Sequence, residues 1–391
     1  MNKLTCAAPW RSLHIQTNGD VKSCCAGDYA LGNLNEQKIN DILVGEKAQT
    51  LRKTMKTDGL NEKYCRVCID GISKGYGAER EWHNNTSPDF NLDTANSTFQ
   101  HPSLIDVRWN TTCNLNCNYC DEEFSSKWAS LKKLAHTGGV TRKYYNDVCS
   151  FLNIHNIHYD KINTVAMVGG EPLLLNENIK LLEYLPNNCT INLISNGSVD
   201  FNTNKVFNAL AEKNNVCWEL SFDNIKEKFE YVRHGGKWNL LVENIKKISK
   251  LKGPKNHSVG IHAVYNLYNC TNLCELKEFA LEMGQFFDLT EGLPITWQSI
   301  TNRPYALDTF NYGTEITQLA ITEIEKFKQN YTLDENEKTF FDGAMRKYNK
   351  IKNPNKETLN QLAKFIDYIE NINTDQKKNF YKLWPEFKNN I

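Results

Sequence analysis

The sequence predicts an α/β protein. Its centre is a partial, open (β/α)6 barrel of the TIM type, with a cysteine-rich segment before it and a helical extension after it. Three observations carry that prediction. Between residues 101 and 300, short apolar or alternating runs take turns with runs of helical period, the pattern of parallel strands with helices outside. Eight of the 13 cysteines fall in two groups before residue 121. Residues 301–391 carry Leu, Ile and Phe at three- and four-residue spacing on otherwise polar helices.

Taken in order, residues 1–100 hold a hairpin pattern over 14–22, with Asn18-Gly19 at its turn, and end in a polar stretch at 84–98 that reads as a linker. Strand patterns follow at 104–109, 164–168, 191–194, 216–222, 260–265 and 295–298. Helical patterns at 178–184, 206–213, 238–251 and 273–283 lie between them. Six strand–helix units are too few to close an eightfold barrel, so the barrel is partial. The segments 315–328 and 359–371 are the clearest helices of the region 301–391.

Composition narrows the function. The 46 basic and 46 acidic residues cancel, which argues against a broad nucleic-acid or membrane surface, and no basic arm or stripe is visible. Hydrophobic residues at 40% exclude a disordered chain. No stretch is apolar enough to span a membrane, and the first residues lack the apolar core of a secretory signal, so the expected location is cytoplasmic. Thirteen cysteines in a reducing compartment point to a metal or redox centre.

The strongest motif is Cys113-Asn114-Leu115-Asn116-Cys117-Asn118-Tyr119-Cys120, directly after the first barrel strand. Three thiolates in a tight loop can each hold one iron of a cubane [4Fe–4S] cluster and leave the fourth iron open for a ligand. A structural zinc site would want four protein ligands. Here the chain resembles the radical S-adenosylmethionine (SAM) superfamily, whose hallmark is this Cys-x3-Cys-x2-Cys loop. Gly169-Gly170-Glu171-Pro172 is similar to the family's GGEP motif, and Ser195-Asn196 and Ser221-x-Asp223 sit at the ends of later strands. The resemblance implies that Cys113, Cys117 and Cys120 bind the cluster, that Glu171 receives the SAM ammonium, and that Tyr119 packs by the adenine. It also implies that Ser195, Asn196, Ser221 and Asp223 reach ribose, carboxylate or substrate. In that family the reduced cluster cleaves SAM to a 5′-deoxyadenosyl radical that takes a hydrogen atom from the substrate.

Cys6, Cys24, Cys25, Cys65 and Cys68 form the second group. The hairpin brings Cys6 and Cys24 together at its open end and turns Cys25 to the other face; Cys65 and Cys68 add a Cys-x-x-Cys pair. Spacing leaves a second [4Fe–4S] cluster and a zinc site both open. With Cys6-Ala7-Ala8-Pro9-Trp10 and Leu31-Gly32-Asn33-Leu34, the segment resembles the SPASM/Twitch module of radical SAM enzymes. That resemblance implies an auxiliary [4Fe–4S] cluster on Cys6, Cys24, Cys65 and Cys68. Such modules usually follow the barrel, whereas this one precedes it. The 33 residues from 69 to 101, at about 3.3 Å each, leave two placements open: at the strands' starting end or back over the active face.

Weaker signals are read conservatively. Arg233, before a helix, is a candidate contact to SAM or substrate. His262 on the fifth strand reads as a satisfied core histidine, Cys270 and Cys274 as ordinary half-buried cysteines, and His155-Asn156-Ile157-His158 as no metal site. The resulting expectation is an enzyme that oxidises or cross-links a peptide or protein, served by an electron donor such as flavodoxin or ferredoxin. A small-molecule radical dehydrogenase is the alternative, and a non-catalytic iron–sulfur or zinc protein the alternative of another class.

Overall fold

The protein is described from a computed structural model covering residues 4–73, 79–96, 98–99, 101–134, 161–251, 253, 255–299, 304–351, 356–373 and 379–388. The segment 155–158 lies outside these residues. The described strands are β1 (Ser12–Ile15), β2 (Asp20–Lys22), β3 (Gly32–Asn33), β4 (Leu104–Val107), β5 (Asn116–Cys117), β6 (Thr164–Met167), β7 (Thr190–Ser195), β8 (Asn215–Ser221), β9 (Arg233–His234), β10 (Asn256–Tyr265) and β11 (Ile295–Ser299). Nine of them form one sheet in the order β11-β10-β8-β7-β6-β4-β1-β2-β3. From β11 to β1 every neighbouring pair is parallel, while β1–β2 and β2–β3 are antiparallel. The six strands read from the sequence are all present, with ends shifted by a few residues.

Alternation decides which face each residue takes. In β8, Val216, Trp218 and Leu220 are buried while Asn215, Cys217, Glu219 and Ser221 stay partly open. Trp218 packs on Phe201 and Phe207, the latter in the helix Lys205–Ala211, so the buried face is the helix side. The half-open residues therefore line the inner, concave face. Trp218 is fully buried, and truncating it would cost about 3–5 kcal/mol. The helix on its flank starts where Asn204 accepts a hydrogen bond from the Phe207 amide at 2.7 Å, an N-cap.

The C-terminal region forms the helices Thr314–Asn330, Glu335–Tyr348 and Lys356–Ile372. Asp334 and Glu337 close a capping box at the second. Trp384, fully buried, donates to the Tyr268 carbonyl at 2.9 Å and packs on Tyr231, which ties the tail to the barrel. Among the described residues no helix is long and apolar enough to cross a membrane.

The N-terminal hairpin is more than a local feature. β1 lies parallel to β4 in register, Ser12 against Leu104 and Ile15 against Val107, so the cysteine-rich region and the barrel share one sheet. The polar stretch read as a linker is packed down instead, because its side chains and carbonyls serve the buried turn Ala8–Arg11. Asn84 accepts from the Ala7 amide at 2.9 Å, the Asn96 carbonyl accepts from the Trp10 indole at 2.6 Å, and Asp89 pairs with Arg11.

Candidate functional site

The cysteine triplet occupies the loop at the C-terminal end of β4, and several elements hold it. β5, which contains Cys117, pairs antiparallel with β9, so Cys117 faces Arg233 and Asn116 faces His234. Asn116 also donates to Asn373 at 2.7 Å, bringing the C-terminal region against the loop. The Trp128 indole donates to the Cys117 carbonyl at 2.9 Å, and Ser126 Oγ accepts from the Cys113 amide at 3.0 Å. Burial raises all three thiols, Cys113 to about 12, and Cys117 adds to the shift at both Cys113 and Cys120. Three crowded, buried thiols cannot ionise together without a cation among them. The donor set therefore fits a cluster with three cysteine ligands.

The GGEP segment is laced to the start of that loop. The Glu171 amide donates to the Thr112 carbonyl at 2.7 Å. Gly169 has a φ of +129°, and a Cβ on Gly170 would lie 2.3 Å from the Thr112 carbonyl oxygen, so both glycines are demanded by backbone geometry. Pro172 follows as the first residue of a short 3-10 turn. Glu171 is fully buried and turned inward. Its oxygens accept from Leu173 N at 3.0 Å, Ser195 Oγ at 2.8 Å and Asn196 N at 2.8 Å. Burial pushes its carboxyl up and these three bonds oppose the shift. Glu171 thus fastens the end of β7, while Asn196 Nδ2 reaches Asn114 Oδ1 at 2.9 Å and Cys113 Sγ at 3.8 Å.

Asp223, Tyr119 and Arg233 form one buried knot beside the loop. Asp223 Oδ2 accepts from the Tyr119 hydroxyl and from Arg233 Nε at 3.3 Å, and Oδ1 accepts from the Val264 amide at 2.7 Å. The Arg233 guanidinium lies 5.3 Å from the Tyr119 ring centroid, and its Nη1 is 3.9 Å from Cys117 Sγ. Burial works against the Arg233 charge, but Tyr119, Asp223 and Cys117 outweigh it and raise its pKa. Ser221 stands one inward-facing position below Asp223.

The second cysteine set lies at the opposite end of the same strands. Cys6 precedes β1 and Cys24 follows β2, which places both at the N-terminal end of the parallel strands. Cys6, Cys24, Cys65 and Cys68 line one cavity, walled mainly by Pro9, Tyr29, Leu51, Met55, Leu60 and Tyr64, with Ser23 and Arg80 as its other polar side chains. Cys25 is not in its lining; its thiol is raised, first by a hydrogen bond to Cys24 and then by burial. The helix Glu62–Ser73 breaks at Cys65 (φ −128°, ψ 20°), which re-aims the Cys-x-x-Cys pair. Burial raises Cys6 to about 12, with Cys65 and Cys68 adding to it. The four thiols stand around this cavity, and that donor set fits a cubane cluster.

Other residues sort themselves by face. Cys270, in the turn before the helix Leu273–Gly284, and Cys274 within that helix are buried rather than half-buried, because both pack into the core. His262 is on the inner face, where burial lowers its pKa and Gln298 bonds it. Sequence reasoning missed the rest of that inner face. His14 Nδ1 of β1 lies 2.7 Å from Asp106 Oδ2 of β4, and Arg108 Nη2 lies 3.3 Å from the same oxygen. Burial raises the Asp106 carboxyl, but His14 and Arg108 outweigh it and hold it below the usual range. Glu219 and Cys217 of β8 were equally unremarked, although stepping back by twos from Asp223 reaches both.

The comparisons with known proteins agree with this geometry. The profile described as "Iron-sulfur cluster-binding domain" (SPASM) matches residues 6–69, and that of the radical SAM superfamily matches residues 107–269. Two curated relatives are named 7-carboxy-7-deazaguanine synthase. The one from Methanocaldococcus jannaschii is 25% identical over 187 residues, 46% of this chain and 69% of the relative. The one from Clostridium acetobutylicum is 37% identical over 89 residues, 22% of this chain and 34% of the relative. Among solved structures, anSMEcpe with bound AdoMet and a Cp18Cys peptide has a TM-score of 0.39 at 16% identity, covering 58% of this chain and 60% of that one. Streptococcus suis SuiB bound to S-adenosylmethionine has a TM-score of 0.41 at 14% identity, covering 68% and 58%. The chain thus spans less than two thirds of either of these two solved chains. It belongs to the radical SAM superfamily, as an enzyme that uses a [4Fe–4S] cluster and SAM and carries an auxiliary iron–sulfur SPASM-type domain ahead of its barrel.

Proposed function

We propose that this enzyme oxidises a substrate seated in the barrel between its two cysteine sets. Cys113, Cys117 and Cys120 would hold the SAM-binding cluster, and Cys6, Cys24, Cys65 and Cys68 the auxiliary one. The observation that carries the reading is the shared sheet. β1 in register with β4 puts the two sets at opposite ends of the same strands, with the polar inner face between them. When bound, the cofactors supply reductive SAM cleavage, a hydrogen-abstracting radical and a one-electron acceptor at the far end. The protein's own part is to hold the loop through Arg233 and Asn196, to fix the strand ends through Glu171, and to seat the substrate.

A peptide or protein is the first substrate class, supported by the SPASM-type domain, which in the family accompanies peptide oxidation and cross-linking. A small molecule is the second reading, favoured by the polar residues of the inner face and by the names of the curated relatives. The working location is the cytoplasm, with a low-potential donor such as flavodoxin or ferredoxin.

The test is 5′-deoxyadenosine formation by the anaerobically reconstituted chain with SAM and dithionite, with and without a cell extract. Stimulation that protease treatment of the extract abolishes supports a peptide, and stimulation that survives it supports a small molecule. Absence of 5′-deoxyadenosine under every condition would sink the enzyme reading.

A further inference from the structure

The N-terminal cavity has one charged side chain in its lining. That residue is Arg80, in the helix Glu79–Asn85, and it stands among the four thiols and the apolar wall. Among the described residues no carboxylate pairs with it. Its side-chain hydrogen bond there runs from Nη1 to the Thr5 carbonyl at 3.4 Å, and its Nε is buried without a partner. Other guanidiniums of this region are engaged more fully. Arg52 donates from Nε to the Pro9 carbonyl and from Nη2 to the Leu43 carbonyl, both at 2.8 Å, and Arg11 pairs with Asp89. Arg80 alone keeps donors in reserve beside the cysteines.

The other charged groups close to the cavity are placed differently. Lys63 lies over the Tyr29 and Tyr64 rings at 5.8 and 5.2 Å, and Arg66 pairs loosely with Asp28 at 3.9 Å. Both cations are exposed and outside the lining, so water screens them. The Glu79 carboxylate disfavours the Cys68 thiolate but is likewise outside the lining. The backbone amides of Glu79 and Arg80 bond the Cys68 thiol, and the Arg80 charge favours the thiolate of Cys6. The residue therefore acts on both ends of the ligand set.

From these observations we infer that Arg80 tunes the auxiliary cluster: its unpaired charge and spare N–H donors stabilise the reduced form and make the cluster a better electron acceptor. The inference rests on the seating of that cluster on Cys6, Cys24, Cys65 and Cys68 proposed above. Reduction from [4Fe–4S]2+ to [4Fe–4S]+ adds one negative charge. A cation in a mostly apolar wall stabilises that charge more than one in water does, and hydrogen bonds to sulfur act in the same direction. Arg80 acts through the cluster and not on the substrate.

The test is an anaerobic redox titration of the reconstituted chain without SAM, read by electron paramagnetic resonance, with iron and zinc counted on the same sample. The chain with Cys113, Cys117 and Cys120 all replaced by Ala identifies the auxiliary signal. Arg80→Met and Arg80→Gln, both neutral, should each shift the reduction equilibrium of the auxiliary cluster about tenfold or more towards the oxidised form. For one electron that is a fall in midpoint of about 59 mV. The triplet cluster should keep its midpoint, and Arg80→Lys, which retains the charge, should shift the auxiliary one less than about threefold. The inference is overturned if the neutral variants titrate with the wild type. It is equally overturned if the lysine variant shifts as far as they do, since packing and not charge would then be at work. Loss of the auxiliary irons from both neutral variants would make Arg80 a structural support and overturn it too. About four irons and one zinc in the wild type would instead overturn the seating of the auxiliary cluster itself, and the inference with it.

Discussion

The two cysteine sets share one sheet and differ in what surrounds their sulfurs. At the triplet the neighbours are polar: Asn196 Nδ2 stands 3.8 Å from Cys113 and Arg233 Nη1 3.9 Å from Cys117. At the N-terminal cavity the walls are mostly apolar, Leu51, Met55, Leu60 and Pro9 with two tyrosine rings, and Arg80 is the one charged side chain of the lining. Donors pointed at cluster sulfurs stabilise the reduced, more negative state, and apolar walls do not. On the function proposed above, the two ends would do different jobs. The triplet's three thiols would leave one iron open in a polar frame. The cavity's four thiols would close the coordination of the other cluster in a mostly apolar frame with one arginine.

The largest effect expected from this contrast comes from removing thiols at one end only. Replacing Cys113, Cys117 and Cys120 together by Ala should remove about four of roughly eight irons per chain and abolish 5′-deoxyadenosine formation. Replacing Cys65 and Cys68 should also remove about four irons, yet leave SAM cleavage by the triplet cluster in place while the substrate product disappears. Iron analysis beside a chromatographic assay of 5′-deoxyadenosine separates the cases. If either set of substitutions empties both sites, the two centres are not independent and the contrast fails.

Acid should distinguish the ends next. His83, buried beside the start of β1 with Ser12 Oγ at 2.8 Å, has its pKa lowered from 6.5 to about 4 by burial. A histidine held neutral in the folded chain binds fewer protons than in the unfolded chain throughout that window. Stability is therefore full above about pH 6.5 and falls as pH drops towards 4, by roughly 1.4 kcal/mol per unit and about 3 kcal/mol in all. Hydrogen exchange should show β1 and the cavity loosening first, and His83→Gln should flatten that slope. An equal slope in the variant would remove His83 from the account.

How much of this was legible in the sequence follows the range of the interactions. The triplet, Gly169-Gly170 and Ser195-Asn196 are local: each is a short run at a strand end whose chemistry or backbone demand is fixed within a few residues. The strands were legible for the same reason, since alternation such as that of β8 is a property of adjacent positions. The hairpin was visible too, but its partner was not. β1 pairs with a strand some ninety residues on, and nothing in four residues of Ser-Leu-His-Ile names β4. Glu219 sat inside a recognised strand pattern. What marks it out is one oxygen, Oε2, with no hydrogen-bond partner among the described residues, a tertiary property. The stretch 84–98 was misread because Asn, Ser and Asp look alike whether they face water or cap a neighbour's backbone.

The smallest effect is the sharpest test of the contrast. Arg233 touches three groups at once: Asp223, the Tyr119 ring and the Cys117 sulfur. Arg233→Met keeps much of the aliphatic bulk and removes the N–H that points at the sulfur. If the polar frame tunes the triplet, the midpoint potential of that cluster should fall by on the order of tens of millivolts, while the cavity cluster keeps its own. Electron paramagnetic resonance during an anaerobic redox titration reads both centres in one sample. Removing the guanidinium also takes a partner from Asp223, so Asp223→Asn serves as the control: it keeps the guanidinium and weakens the bonds that both Arg233 and Tyr119 make to the shared oxygen. A shift in Arg233→Met without one in Asp223→Asn ties the effect to the sulfur contact. Equal shifts in both would mean that the knot acts through packing, and the difference between the two ends would then rest on ligand number alone.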